Sequence, residues 1–309
     1  MLYTGEIKMN RLNRYIIRVI FSISSLLFCC TMSAQQDLMM SQQLFSRINV
    51  NPAGTGNNDK FDLFVLGRFQ WVGVDNGPKT GLLNFSGYSE KLKSSLGLSV
   101  YYDHLGIGHS TTNAQIVYSY HLDLSEKYIL SMGISGGVNF GYFNPADNTM
   151  RDKVEYGMET YVQDKTTEIT PDINLGFEFT SQIWMVGVSC THLLNDSSTT
   201  FKSGRHYYLY GRALLPISSH FDIAPALSYM HKGKINNIEI NAMLFYNKFI
   251  WGGVTWKPDL SNPANMSLLA ITAGFEWNKY RIGYTYNMNL GRCNNLPSNT
   301  HDILLSMQF

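Results

Sequence analysis

From Phe61 to Phe309 the chain divides into fourteen segments in which apolar and polar side chains alternate. Alternation with period two puts every second side chain on one face of a β-strand, so each segment describes a strand with one apolar and one polar face. Arg281 to Leu290 shows it without exception. There Ile282, Tyr284, Tyr286, Met288 and Leu290 oppose Arg281, Gly283, Thr285, Asn287 and Asn289. Pro171 to Phe179 and Leu130 to Phe140 follow the same rule. The last run sets Ile303, Leu305, Met307 and Phe309 against Asp302, Ser306 and Gln308, with Leu304 out of pattern, and segments 81–89 and 249–255 alternate poorly.

The pattern predicts strands over 61–72, 79–89, 95–103, 110–121, 128–142, 169–180, 182–192, 205–215, 220–230, 236–246, 248–256, 267–277, 280–289 and 301–309. Connections after odd strands read as long (73–78, 104–109, 143–168, 193–204, 231–235, 257–266 and 290–300). Those after even strands read as short (90–94, 122–127, 216–219 and Asn278-Lys279), down to the single residues Ser181 and Asn247. Up-and-down outer-membrane barrels have this asymmetry, and strands of nine or more residues suit a tilted bilayer crossing better than a soluble sheet. No stretch after the leader has eighteen consecutive apolar residues, so a membrane span must be a closed sheet. The fold expected is therefore all-β: an up-and-down antiparallel transmembrane β-barrel of about 14 strands. The alternative is a secreted β-sandwich or propeller, which leaves the loop asymmetry without a cause.

Composition agrees with a wall facing lipid. Charged residues are 15% of the 309, against roughly 25% in soluble domains, and there are nineteen Tyr. Lys8, Arg11, Arg14 and Arg18 precede the apolar run Val19 to Cys30 and then Ser33-Ala34, the layout of a secretory signal peptide. Cutting after Ala34 gives a leader over 1–34, a periplasmic or lumenal segment over 35–60 and a barrel over 61–309. Met9 offers a second possible start. The mature chain then holds 20 basic and 22 acidic residues, and no basic patch points to nucleic acid. Bulky Phe28 and Cys29 argue against a lipid anchor in the leader. Cys190 and Cys293 read as unpaired thiols, with one disulfide the alternative.

Arg68, Gln70, Asn84, Gln115, Asn139, Asp172, Asn174, Glu178, Glu239, Asn241, Thr272, Glu276 and Arg281 fall on the face opposite the apolar one and call for a polar lumen. Fourteen strands lie between barrels filled by side chains and barrels with a water channel, so an open and a plugged lumen both remain possible. The search for chemistry returns little. Gly133-Ile134-Ser135-Gly136-Gly137 matches G-x-S-x-G, but it lies inside an alternating strand with no helix after it, and its glycines suit a crowded lumen wall. The eight His have no metal-ligand spacing, and His104 and His109 flank a short loop. Gly106-Ile107-Gly108 reads as turn chemistry. Loop 143–168, with six acidic and three basic residues, reads as a solvated surface loop or a docking segment. No catalytic residue, cofactor or metal site is expected.

Two blocks resemble the PorP/SprF family of the Bacteroidetes type IX secretion system. The first is Ser41-Gln42-Gln43-Leu44-Phe45 followed by Asn51-Pro52-Ala53-Gly54; the second is Arg68-Phe69-Gln70-Trp71-Val72-Gly73 with Asp75, Pro78 and Thr80. Tyr102-Asp103-His104-Leu105-Gly106 and Tyr118-Ser119-Tyr120 are similar to the family too. Gly54 stands where the family usually has an aromatic, and Asn76 where it has a glycine. Asn tolerates positive φ well enough to keep that turn. The resemblance implies a non-enzymatic outer-membrane barrel that works with other type IX secretion components. It also implies support for export or surface attachment of a secreted partner, such as an adhesin or its C-terminal domain, including those of gliding motility. Asn51 to Gly54, Arg68, Gln70, Trp71, Gly73, Asp75, Pro78 and Thr80 are then either partner contacts or structural residues, Asn51-Pro52 as a turn and Trp71 as an interfacial anchor ending the first strand. Terminal Phe309 resembles the C-terminal aromatic read by barrel-assembly machinery. The rival function is a porin or hydrophobic-solute channel.

Overall fold

The computed structural model describes residues 45–56, 61–106, 108–144, 165–194, 204–233, 235–258, 267–290 and 299–309. The leader over 1–34, Cys293 and most of loop 143–168 lie outside them. Strands β1 (Phe61–Phe69), β2 (Lys79–Ser89), β3 (Ser94–Gly106), β4 (His109–Ser125) and β5 (Tyr128–Phe143) are followed by β6 (Thr166–Ser181), β7 (Trp184–Thr191), β8 (His206–Ala213) and a two-residue β9 (Leu215–Pro216). Then come β10 (Phe221–Lys232), β11 (Ile235–Tyr246), β12 (Ile250–Lys257), β13 (Ser267–Trp277), β14 (Tyr280–Leu290) and β15 (Thr300–Gln308). β9 continues the line of β8 along β10 past a break at Leu214, so fourteen strands make the circuit. Every pairing is antiparallel. β15 pairs with β1 from Asp62↔Gln308 to Phe69↔His301, and β10 pairs with β11, so the sheet closes on itself. Phe309 N–H donates to Phe61 O at 2.9 Å and fastens the C-terminal end to the start of the barrel.

All fourteen expected strands are present. β1 is shorter than expected and stops at Phe69, because Trp71 takes a left-handed conformation with φ 55°. Trp71 is thus a loop residue, not the aromatic that ends the strand. The loop-length pattern needs a larger correction. β3 and β4 run on to Gly106 and His109, and β10 and β11 to Lys232 and Ile235, which leaves two-residue connections at 107–108 and 233–234. Gly108 and Gly233, with φ 69° and 57°, make these tight turns possible. His104 therefore sits within β3, and His109 opens β4 directly after the shortened connection. At the opposite end, Asn247, Lys248 and Asn278 adopt positive φ in the hairpin turns, the conformation such connections require.

The faces are inverted relative to a soluble protein. On β14, Ile282, Tyr284 and Leu290 are exposed while Thr285 and Asn287 are buried. Among the residues assigned to a polar lumen, Asn84, Gln115, Asn139, Asp172, Asn174, Glu178, Glu239, Asn241 and Thr272 are all buried. Aromatic clusters ring the outer wall. Tyr128, Phe179 and Trp184 stack at the short-turn end, with Phe179 and Trp184 centroids 5.4 Å apart, while Tyr284, Tyr286 and His301 group toward the other. These belts bracket an apolar band, the outer surface of a membrane-spanning barrel.

Exposed Ile271 lies near the middle of β13 on that band. Ile271→Arg is expected to destabilise the barrel by about 2–4 kcal/mol, the cost of a charge near the bilayer midplane. Urea titration of the folded fraction in lipid vesicles checks it, with Ile271→Leu as the neutral control.

Candidate functional site inside the barrel

Twelve described residues precede the barrel, 45–56, and they lie inside it. Asn51, Ala53 and Thr55 have 0% exposure, although no regular element beyond the short 3-10 turn Pro52–Gly54 holds them. The Asn51 side chain caps that turn, accepting from Ala53 N–H at 2.9 Å, and Pro52 supplies a φ already suited to it. The segment satisfies its own backbone: Val50 and Asn51 N–H donate to Arg47 O, Gly54 N–H to Asn51 O, and Thr55 N–H to Pro52 O.

The wall receives this turn with side chains and with missing side chains. Gly133 and Gly176 face each other across β5 and β6. A Cβ on Gly133 would stand 2.2 Å from Ala53 N, and one on Gly176 would stand 1.9 Å from Asn51 Oδ1. These glycines form a recess filled by the Asn-Pro-Ala backbone. Asn51 Nδ2 donates to Phe177 O at 3.0 Å and to Tyr210 Oη at 2.9 Å. Ser189 Oγ donates to Val50 O at 2.6 Å, and Ser119 Oγ to Ala53 O at 3.3 Å.

Arg47 supplies the charge. Its guanidinium grips Glu178 with two bonds, Nε to Oε2 at 2.9 Å and Nη2 to Oε1 at 3.1 Å, and Tyr210 Oη donates to the same carboxylate. Both partners are removed from water, and a buried pair of this kind needs its lone pairs and protons satisfied to repay desolvation. The third anchor is Phe45. It packs 4.8 Å from the Trp251 ring, with the Arg281 guanidinium 4.5 Å from its own centroid, in a buried cluster with Phe64, Leu66, Leu82 and Leu304. Leu82, Trp251 and Leu304 belong to the stretches where alternation failed. They face inward into this one apolar cluster, where Trp251 meets Phe45 and Leu66 lies between Leu82 and Leu304 across the strands.

Other lumen residues pair across strands. Asp172 accepts from Gln115 Nε2 at 2.6 Å and Asn113 Nδ2 at 3.0 Å, while Ser135 Oγ and Asn174 Nδ2 both donate to Gln115 Oε1. Ser135, on β5, is thus one link in a buried amide network that crosses β4, β5 and β6. Among the described residues no group of three or more His, Cys, Asp or Glu could hold a metal ion. Cys190 is half-buried with no disulfide among the described residues.

The second sequence block lies elsewhere. Arg68 forms a bidentate pair with Asp302 (2.7 and 2.8 Å), and Thr80 Oγ1 donates to Asp103 at 2.7 Å. Between them Gln70 N–H donates to Pro78 O and Val72 N–H to Asn299 O, folding residues 70–78 into a compact loop. Gly73 and Asn76 take φ of 101° and 59°, so Asn76 does keep the turn. Asp75 is exposed and Pro78 is buried. The two blocks do not meet: residues 51–54 pack low on β4, β5 and β6, whereas Arg68 to Thr80 build the rim at the far end of β1 and β2. Phe309 sits at the short-turn end, exposed, beside Phe61.

Sequence reasoning missed Phe45, Arg47, Tyr210 and Trp251 as parts of one site. The available signal was the glycine pair, which marked a crowded wall without saying what crowds it. Gly133→Ala and Gly176→Ala are each expected to cost about 1–3 kcal/mol by overpacking, which raises the displaced fraction of the segment roughly 5- to 150-fold. Gly136→Ala, where an added Cβ meets nothing within 4 Å, should change nothing. Protease cleavage between residues 45 and 56 in the folded barrel measures the difference.

Comparison with known proteins matches this arrangement to one family. Three solved outer-membrane barrels share the fold at low identity. The Ralstonia pickettii toluene transporter TbuX has a TM-score of 0.55 at 10% identity, over 85% of this chain and 93% of its own. The P. putida toluene transporter TodX has 0.53 at 8%, over 84% and 93%, and the Acinetobacter baumannii outer membrane protein Omp33 has 0.50 at 11%, over 81% and 98%. Among curated proteins none matches the chain in sequence. The family model described as "Type IX secretion system membrane protein PorP/SprF" matches residues 32–307. The chain belongs to the PorP/SprF family of type IX secretion membrane proteins, and family and fold together place it in the outer membrane.

Proposed function

We propose that this barrel is a sealed, non-enzymatic membrane anchor that supports export or surface attachment of a secreted partner. The observation that favours this reading is the lumen: residues 45–56 occupy part of it with buried contacts on several walls, which obstructs the path of a substrate chain. The partner therefore docks on a mouth of the barrel. With the short turns on the periplasmic side, as in other outer-membrane barrels, the rim built by Arg68, Gln70, Trp71, Gly73, Asp75, Pro78 and Thr80 faces the cell exterior. Exposed Val72, Val74 and Asp75 offer a surface there. The partner is a surface adhesin or its C-terminal domain, in some settings one used in gliding. Ser135 has no catalytic role in this reading, since its hydroxyl is spent on Gln115.

A hydrophobic-solute channel is the second reading. Two observations favour it: the apolar lumen cluster around Phe45 and the shared fold with two barrels described as toluene transporters. The readings part in one experiment. A deletion strain should lose secretion or surface retention of the partner while the purified barrel shows no steady conductance in planar bilayers. Normal secretion together with steady conductance would overturn the anchor reading in favour of the channel.

The docking face is tested separately. Asp75→Arg on the rim should reduce co-purification of the partner from native membranes at least roughly tenfold, a loss of about 1.4 kcal/mol. The barrel itself should keep its heat-modifiable gel shift.

A further inference from the structure

The strand ladder of the wall that holds residues 45–56 closes without them. Barrel closure is carried by strand pairing from β15 through β1 around to β10 and β11, and the segment adds no strand to that ladder. Its hydrogen-bonded turns are internal, and its links to the wall are side-chain contacts. Ser119 and Ser189 donate to its carbonyls, Glu178 and Tyr210 meet its guanidinium and amide, and Gly133 and Gly176 leave room for its backbone. Side chains reading an irregular backbone, with a pocket for one aromatic and an ion pair for one cation, are the features of peptide recognition.

We propose that the inner wall is a preformed peptide-binding site, that residues 45–56 are its displaceable ligand in cis, and that a separate peptide carrying an arginine four residues before Asn-Pro-Ala-Gly competes for it. The ligand class follows from the contacts. The arginine must reach Glu178, the asparagine must bridge Phe177 O and Tyr210 Oη, and the residues after it must be small enough for the glycine recess. Attachment through 57–60 to β1 gives the cis segment a high effective concentration, of order millimolar for a short link. The site is thus closed by default and opens only when the cis contacts weaken or a competitor is abundant. This proposal does not rest on the secretion reading, because it concerns the isolated barrel.

The experiment uses the chain from Gln35 to Phe309 in detergent, which leaves out Cys29 and Cys30, with Cys190 and Cys293 replaced by Ser and a reporter Ser46→Cys, at a position now buried. A fluorescent synthetic peptide of residues 45–56 is titrated into the parent and into its Arg47→Ala variant. Arg47→Ala should label with a water-soluble maleimide at least roughly tenfold faster at position 46 and bind the peptide saturably. The parent should bind it at least roughly tenfold more weakly, and a peptide carrying its own Arg47→Ala should not compete. Equal labelling of the two barrels would show that the segment does not leave and would overturn the proposal. Faster labelling without peptide binding would overturn the separate site. If Arg47→Ala loses the heat-modifiable shift, Phe45→Ala is read by the same criteria.

Discussion

Hydrocarbon offers no hydrogen bonds, and the organisation of this molecule follows from that constraint. A backbone crossing the membrane as strands must pair every N–H and C=O with a neighbour, which forces the sheet to close. Closure through β1 and β15 then decides where each side chain goes. Apolar residues line the outside, where lipid accepts them, and polar residues are driven into a narrow interior where they must satisfy one another. The bidentate Arg68–Asp302 pair, the amide network around Gln115 and the Glu178 node are three solutions to that one requirement.

The interior also explains the protein's most distinctive feature. A fourteen-strand barrel is too wide for its own side chains to fill easily and too narrow for a large water channel. Here the chain fills part of it with its own N-terminal segment. Three kinds of contact hold that segment: an aromatic ring in an apolar patch, a buried ion pair, and a capped turn set into a glycine recess. Each is of ordinary strength, and none is shared with the strand ladder. The occupant is therefore held by side chains and by fit, and not by the backbone ladder that joins neighbouring strands.

Much of the fold was legible because a barrel strand has a single strong rule. Period two alternation located all fourteen strands, mostly with ends within three residues, and nine of the thirteen residues it assigned to a polar lumen are buried, while Arg68, Gln70, Glu276 and Arg281 are only partly so. It failed at Leu82, Trp251 and Leu304 for a physical reason: those positions pack in an apolar cluster inside the barrel that includes Phe45, and meet neither water nor lipid. The loop lengths misled at 104–109 and 231–235, where strands extend beyond the point at which their polarity stops alternating. The candidate site was half legible. Asn51 to Gly54 stood out as a block, and Gly133 as part of a crowded wall. Their meeting was not readable, since 131 residues separate Arg47 from Glu178 and no periodicity links an irregular segment to a strand. The Arg68 to Thr80 block was read correctly as a turn at Asn76 and incorrectly as strand at Trp71, whose positive φ no propensity would favour.

The central claim is that residues 45–56 occupy the lumen of the folded barrel. Amide hydrogen exchange of the purified, folded protein tests it most directly, because Val50, Asn51, Gly54 and Thr55 N–H groups are all hydrogen-bonded within a buried turn. The account predicts that peptides covering 45–56 stay protected far beyond the exchange time of an exposed segment. Exchange within seconds over this segment, with the strands still protected, would contradict it.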